Sequence, residues 1–202
     1  MSGGPQHYFT PLPATELRAK LVRYLDGDDE FGFRTAAGVF SRAGVDRGSR
    51  LLLDAVDVTG AAGVLDLGCG YGPVGIVLAR RAPAARVTLV DINPRAVALA
   101  VENIALNDVP NAEALCGDGC APVAGRIFDV IAMNPPIRAG RAVVLRLIDE
   151  ARACLSPTGR LYLVARTSQG AQTLGRLMGE RFPRVAEVER GGGYRVYEAS
   201  HV

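Results

Sequence analysis

The stretch Val64-Leu65-Asp66-Leu67-Gly68-Cys69-Gly70-Tyr71-Gly72 constrains this chain more than any other. An apolar run that meets glycine at three alternate positions reads as a strand stopping at a loop. Pro73 then opens a helical pattern over residues 73–81, where a proline is tolerated because its missing N–H falls in the first turn. Glycines in such a loop let the backbone approach a ligand where a Cβ would clash.

The rest of the chain repeats that alternation. Strand patterns at 63–67, 86–90, 112–116, 127–133 and 161–165 alternate with helical ones at 73–81, 94–107, 142–155 and 170–181. In the second helix Ala96, Val97, Ala100, Val101 and Ile104 recur at three- and four-residue spacing. In the third Val144, Leu147, Ile148 and Ala151 do the same, and Ser156-Pro157-Thr158-Gly159 reads as the turn that follows. Strands at 184–189 and 194–199 flank Gly191-Gly192-Gly193, a hairpin signal. The pattern predicts an α/β, Rossmann-like fold. Its sheet is mostly parallel, with one antiparallel strand near the edge and helices on both faces.

Before residue 60 the pattern differs. Residues 20–25 and 30–34 flank Asp26-Gly27-Asp28-Asp29 and predict a small hairpin. Residues 46–56 predict a helix with Leu51, Leu52 and Val56 on its buried side. The expected division is an N-terminal extension over 1–35 and a main domain over 36–202.

Composition narrows the class. A chain of 202 residues, 49% hydrophobic and 22% charged, can bury its own core without a disulfide or metal staple. A net charge of +2 excludes a strongly basic, tail-type nucleic-acid binder but leaves room for a local basic patch. Cys69, Cys116, Cys120 and Cys154 make no C-x-x-C, and there are only 2 histidines. No metal site is expected, and reduced thiols fit a cytoplasmic protein. No uncharged run is long enough to span a bilayer, and residues 1–5 lack the basic start and apolar core of a secretory leader. No membrane partner is expected.

Three acids follow three strands. Gly70, Gly72 and Gly75 satisfy G-x-G-x-x-G, and Asp91 ends the next strand, where a carboxylate can accept both ribose hydroxyls of an adenosine. Asp66 discriminates between cofactors. A pyrophosphate would meet its charge at short range, which costs energy in a partly desolvated cleft. S-adenosylmethionine carries no phosphate and brings an ammonium and a sulfonium, so the carboxylate favours it over a nicotinamide dinucleotide. Asp118, in Cys116-Gly117-Asp118-Gly119, follows the third strand. It can accept from an adenine amino group, or serve only as a turn aspartate.

The fourth strand ends in Asn134-Pro135-Pro136-Ile137. Each proline holds the residue before it extended and removes a backbone donor while leaving a carbonyl. The result is a stiff loop that offers the Asn134 amide oxygen and the Pro135 carbonyl to the two N–H groups of an amine. An amine conjugated to a ring is a poor nucleophile. Two convergent acceptors can draw its nitrogen toward sp³ geometry and aim its lone pair at a methyl donor.

These residues resemble the class I S-adenosylmethionine-dependent methyltransferases. More narrowly, they resemble the small-domain methyltransferase family, which includes bacterial 16S ribosomal RNA guanine-N2 methyltransferases and single-domain archaeal relatives. The likeness runs through His7-Tyr8-Phe9-Thr10, Gly38-Val39-Phe40-Ser41, Asp46-x-Gly48-Ser49, the glycine loop, Asp118-Gly119, Asn134-Pro135-Pro136-Ile137-Arg138-Ala139-Gly140 and Gly192-Gly193-Tyr194-Arg195-Val196. The resemblance implies a seven-stranded methyltransferase sheet and methyl transfer to an exocyclic amine, foremost guanine N2 of ribosomal RNA. Other acceptors of that chemistry are a protein glutamine, adenine or a small molecule, and a non-catalytic RNA-binding relative is the remaining alternative.

By position, the resemblance puts Asp66, Gly68, Gly70 and Gly72 at the methionine end of the cofactor, Asp91 at the ribose and Asp118 at the adenine. Asn134 serves cofactor and amine, with Pro135 as its catalytic neighbour. Phe40, Pro136 and Ile137 face the substrate, although a core role for Phe40 is equally open. Many relatives carry an aromatic residue where this chain has Ile137, so stacking on the target base would fall to Tyr71 or Phe40, or be weaker. Guanine-N2 enzymes commonly carry a second, degenerate domain copy for RNA binding, for which this chain has no room; a homodimer can supply that surface. Arg138 and Arg141 lie at or just before a predicted helix N-terminus, where cations oppose the helix dipole, and so suit an RNA phosphate.

Overall fold

The computed structural model describes residues 20–39, 41 and 44–202. Strands β1 (Lys20–Asp26) and β2 (Asp29–Thr35) form an antiparallel hairpin around a two-residue turn at Gly27 and Asp28. Helix α1 (Arg47–Ala55) follows. The chain then alternates through β3 (Gly63–Leu67), α2 (Pro73–Arg81), β4 (Arg86–Asp91), α3 (Pro94–Leu106), β5 (Ala112–Cys116), β6 (Phe128–Met133), α4 (Arg141–Ala153), β7 (Leu155–Arg166) and α5 (Ala171–Gly179). It closes with β8 (Arg184–Gly191) and β9 (Tyr194–Ser200). Gly192 and Gly193, at φ of +55° and +83°, make the turn between them, a conformation that fits a tight hairpin.

The main sheet runs β5-β4-β3-β6-β7-β9-β8. β9 is antiparallel to both its neighbours and lies one strand in from the edge. The expected architecture is therefore present. β3 pairs in parallel with both β4 and β6, so the chain's progress across the sheet reverses there. Side chains alternate across β3. Val64 joins the core under α1, α2 and α3, while Leu65 and Leu67 join the core under α4 and α5. Asp66 thus faces the α2 side.

Three local expectations need correction. Residues 156–159 lie inside β7 instead of forming a turn before it. Phe128 pairs with Leu155 but Val130 pairs with Arg160, so these four residues bulge opposite Asp129 alone. The Asp129 carboxylate stabilises the bulge by accepting from Ser156 Oγ at 3.0 Å, and from the backbone N–H groups of Ala62 and Gly63. In α1 the fully buried leucines are Leu52 and Leu53, while Leu51 is half-buried. In α3 Val101 is exposed, and Leu99 and Asn103 are buried instead. That helix serves two neighbours, the sheet and the hairpin, so its buried stripe is displaced.

Two asparagines one helical turn apart hold the hairpin. Asn103 Oδ1 accepts from Arg34 N at 2.7 Å, and its Nδ2 donates to the carbonyls of Arg34 and Tyr71, both at 2.9 Å. At the end of α3, Asn107 repeats the arrangement on the N–H and C=O of Gly32. The two amides pair with alternate residues of β2 as a neighbouring strand would, and they satisfy an edge that is buried by the helix. Val22, Phe31 and Phe33 of the hairpin sit in the same core as α2 and α3. Replacing fully buried Asn103 with leucine keeps the branched outline but leaves these backbone groups unpaired. At about 1–3 kcal/mol for a buried unsatisfied group, Asn103→Leu is expected to reduce stability by about 2–4 kcal/mol in total, seen as a lower urea midpoint with an unchanged slope. An unaltered midpoint would mean that the asparagines carry no net stability.

Candidate active site

Reversal of the chain's progress at β3 and β6 opens a crevice at the carboxyl ends of the strands. A cavity of about 490 Å³ occupies it. Its walls come from the ends of β3 (Asp66, Gly68, Gly70), β4 (Asp91), β5 (Asp118), β6 (Asn134, Pro135, Pro136, Ile137, Arg138) and β7 (Arg166). All of these except Arg166 were expected from the sequence. Gly72 and Arg141 are not among the lining residues, and Phe40 lies outside the described residues.

The glycines have distinct tasks. Gly68 and Gly70 have φ of +82° and +58°, and a Cβ on either would stand in open space. That space belongs to the cavity, which both glycines line, so the bare backbone forms a cradle for a ligand. Gly72 and Gly75 are packing glycines. A Cβ on Gly75 would lie 2.6 Å from Leu89 Cγ, so its absence lets α2 approach β4.

Asp66 and Asp91 tie the loop in place. Asp91 Oδ2 accepts from Gly70 N and its Oδ1 from Asn93 N, each at 2.8 Å. This fastens the loop after β3 to the end of β4. Each oxygen keeps a second lone pair for a ligand hydroxyl. Asp66, 3% exposed, accepts from Gly75 N at 2.7 Å. It supplies the first turn of α2 with the acceptor that its glycine N-cap lacks. Burial pushes the Asp66 carboxyl up to about 7; the Gly75 N–H works against this and the Asp91 charge adds to it. Burial also raises Asp91, against the pull of the Asn93 and Gly70 N–H groups. A cavity with two such carboxylates attracts a cation, which would hold both ionised.

Asp118 is more exposed. Its Oδ1 accepts from Arg146 Nη2 at 2.8 Å, and the residue lines the cavity. Arg146 also bonds Glu150, whose Oε2 accepts from Cys120 N, so the loop after β5 is strapped to α4. Arg146 carried no signal of its own in the sequence, because nothing local marks a helix arginine that reaches a distant loop.

On the other side, Pro135 is buried and Pro136 adopts φ −74°, ψ +74°, an inverse γ-turn. The turn spends one lone pair of the Pro135 carbonyl on Ile137 N at 2.8 Å and leaves the other free. Asn134 Nδ2 donates to Ser49 Oγ at 3.2 Å. Tyr71 is 1% exposed and packs edge-on against Phe33, with its hydroxyl directed at the Ser41 carbonyl. It therefore cannot stack on a base, contrary to expectation. Tyr194 is half-buried, lines the cavity, and accepts from Arg166 Nη2 at 2.7 Å. It sits in the Gly192-Gly193-Tyr194-Arg195-Val196 segment, which was a signal the sequence did contain.

The comparisons with known proteins agree with this geometry. The methyltransferase small domain matches residues 30–198. The chain belongs to the methyltransferase small domain family. It is 34% identical over 199 residues to the uncharacterised protein YbxB of Bacillus subtilis (strain 168), covering 98% of this chain and 99% of that protein. It is 34% identical over 176 residues to ribosomal RNA small subunit methyltransferase C of Pseudomonas aeruginosa (strain UCBPP-PA14), covering 85% of this chain and 52% of the relative. Among solved structures, the T. thermophilus 16S rRNA N2 G1207 methyltransferase in complex with AdoMet and guanosine superposes with a TM-score of 0.81 at 28% identity, over 95% of this chain and 52% of that one. The chain thus spans about half the length of the ribosomal RNA methyltransferases it matches. By family and fold it is an S-adenosylmethionine-dependent methyltransferase. Among the described residues, no helix is long and apolar enough to cross a membrane.

The Asp66 carboxyl has a consequence for pH. Its raised value means that the folded state holds the proton more tightly than the unfolded chain does. The stability this confers is complete below the ordinary value of 3.8 and is lost as pH rises to about 7. Without cofactor, the wild type is expected to lose a few kcal/mol relative to Asp66→Asn across that window. Thermal unfolding of both proteins at pH 4, 5.5 and 7 measures this; parallel curves would contradict it.

Proposed function

We propose that this chain methylates the exocyclic N2 amine of a guanine in ribosomal RNA, using S-adenosylmethionine. The observation that carries the reading is the pair of acceptors at the end of β6, the Asn134 amide and the Pro135 carbonyl, facing a cavity bounded by three carboxylates. The acceptor identity is supported by the likeness to the guanosine-bound N2 methyltransferase and to the small-subunit enzymes.

The residues present fit the cofactor. The bare backbone at Gly68 and Gly70 would receive its methionine end, the free lone pairs of Asp91 its ribose hydroxyls, and Asp118 Oδ2 its adenine amine. Asp66 and Asp91 together favour its positive charge. When bound, S-adenosylmethionine supplies a methyl group on a sulfonium.

The chain's own part is to present the amine. Asn134 Oδ1 and the remaining lone pair of the Pro135 carbonyl accept its two N–H groups. This draws the nitrogen lone pair out of conjugation and holds it in one direction. Such orientation is worth up to about 7–11 kcal/mol in favourable cases. After transfer the ammonium's surplus proton leaves to water. Ile137 is half-buried and gives the base an apolar contact, and Tyr194 takes the stacking role that Tyr71 cannot. Arg138, at the cavity rim, and Arg141, exposed on the first residue of α4, meet the RNA backbone.

The direct test is incubation of the protein and labelled S-adenosylmethionine with unmodified 16S ribosomal RNA, followed by nucleoside analysis. N2-methylguanosine is the expected product, and label in another nucleoside or in protein would replace the reading. Asn134→Ala should lower kcat by at least about a hundredfold, with a smaller change in the RNA KM, because the lost acceptor acts chiefly in the transition state. Near wild-type kcat would rule out the amine clamp. Arg138→Ala combined with Arg141→Ala should leave cofactor affinity intact and reduce the slope of log K for RNA against log salt by about 0.7–0.9 per lost contact. An unchanged slope would put the RNA elsewhere on the surface.

A further inference from the structure

The clamp has a requirement that shape alone cannot meet. The oxygen and nitrogen of an asparagine amide are nearly equal in size, so packing does not decide which one faces the substrate. Only hydrogen bonds do. If Asn134 were turned over, its NH₂ would confront the NH₂ of the substrate, donor against donor.

A chain of hydrogen bonds runs back from Asn134 to the start of α1. Asn134 Nδ2 lies 3.2 Å from Ser49 Oγ, and Ser49 Oγ lies 2.6 Å from Asp46 Oδ2. The other oxygen of Asp46 accepts from Gly48 N at 2.9 Å and Ser49 N at 3.2 Å, which makes Asp46 the N-cap of α1. All three side chains border the cavity, and Ser49 is 4% exposed.

Proton counting sets the direction. An ionised carboxylate only accepts, so Ser49 must donate its single proton to Asp46. Toward Asn134 the hydroxyl can then only accept. Asn134 must offer Nδ2 to it, and Oδ1 is left for the cavity. We propose that Ser49 and Asp46 are positioning residues: together they fix the Asn134 amide so that its oxygen faces the substrate amine. The inference rests on the reading of Asn134 as the acceptor of that amine. It assigns to α1 a part in the chemistry beyond packing.

Asp46→Asn tests it, because asparagine is as good an N-cap as aspartate. The introduced amide would keep its oxygen on the Gly48 and Ser49 N–H groups and turn its NH₂ to Ser49 Oγ. The hydroxyl proton, no longer taken by residue 46, is then free to be donated to Asn134, which stabilises the reversed amide. Ser49→Ala removes the chain and leaves the amide unordered. The expected order of kcat on unmodified 16S ribosomal RNA is wild type, then Ser49→Ala, then Asp46→Asn. The last should fall at least about tenfold, with the unfolding midpoint close to that of wild type and cofactor affinity within about twofold of it. A purely structural role predicts the reverse order for the two variants, since Asp46→Asn is the smaller change. That order, or an unchanged kcat in Asp46→Asn, overturns the proposal.

A second readout needs no RNA. In protein carrying ¹⁵N-asparagine, the side-chain amide signals of Asn134, assigned by their loss in Asn134→Ala, should shift in Asp46→Asn. Signals that stay in place overturn the proposal. Signals that shift in a protein that methylates no guanine support the positioning chain while removing the proposed substrate.

Discussion

Everything at the site depends on the double parallel pairing of β3. A parallel neighbour can be reached only by a crossover on one face of the sheet, and such crossovers are right-handed. The loop leaving β3 runs to α2, on the face it shares with α1 and α3. The loop leaving β6 runs to α4, on the opposite face. The two loops leave adjacent strand ends in opposite directions, and the backbone parts between them. Asp66, Asp91, Asp118 and Asn134 end successive strands in space at this gap because the topology gives each strand the same polarity.

The gap is held open at an electrostatic cost. Two carboxylates are buried there, both are pushed upward by burial, and the Asp91 charge adds to the rise at Asp66. Backbone N–H groups at Gly70, Gly75 and Asn93 offset part of that cost and fix the glycine loop to β4 and α2. The same groups that tie the loop therefore prepare a negative lining. A cationic ligand completes the compensation that the protein leaves unfinished, so affinity for such a ligand and strain in its absence have one origin.

The N-terminal elements contribute to the site as well as to the core. The β1–β2 hairpin is joined to α3 by the amides of Asn103 and Asn107, and Asn103 reaches on to the Tyr71 carbonyl inside the glycine loop. Helix α1 packs on the sheet and also carries Asp46 and Ser49 to the edge of the cavity. Gly48 lies between them because a Cβ there would come within 3.0 Å of the Tyr194 ring. A helix start, the asparagine that follows β6 and an aromatic from the last strand thus meet at one place.

Local patterns determined much of this from the sequence alone. Apolar periodicity placed the strands and helices, because burial on one or two faces imposes spacings of about two or about 3.6 residues. Glycine and proline placed Gly68, Gly70 and the Asn134-Pro135-Pro136 loop, because those residues change what the backbone can do where they stand. The acids were legible because each closes a strand. Contacts between residues distant in sequence were decided only by the tertiary structure. The turn-like run 156–159 became a bulge because Asp129 was there to accept from it. Val101 was left exposed because α3 turned toward the hairpin. Tyr71, which looked free to stack, was taken into the core by Phe33. The direction of the Asn134 amide depends on a hydroxyl 85 residues away. Periodicity and backbone chemistry are properties of neighbouring residues and survive in a linear string. Proton direction and residual exposure belong to pairs that only the folded chain brings together.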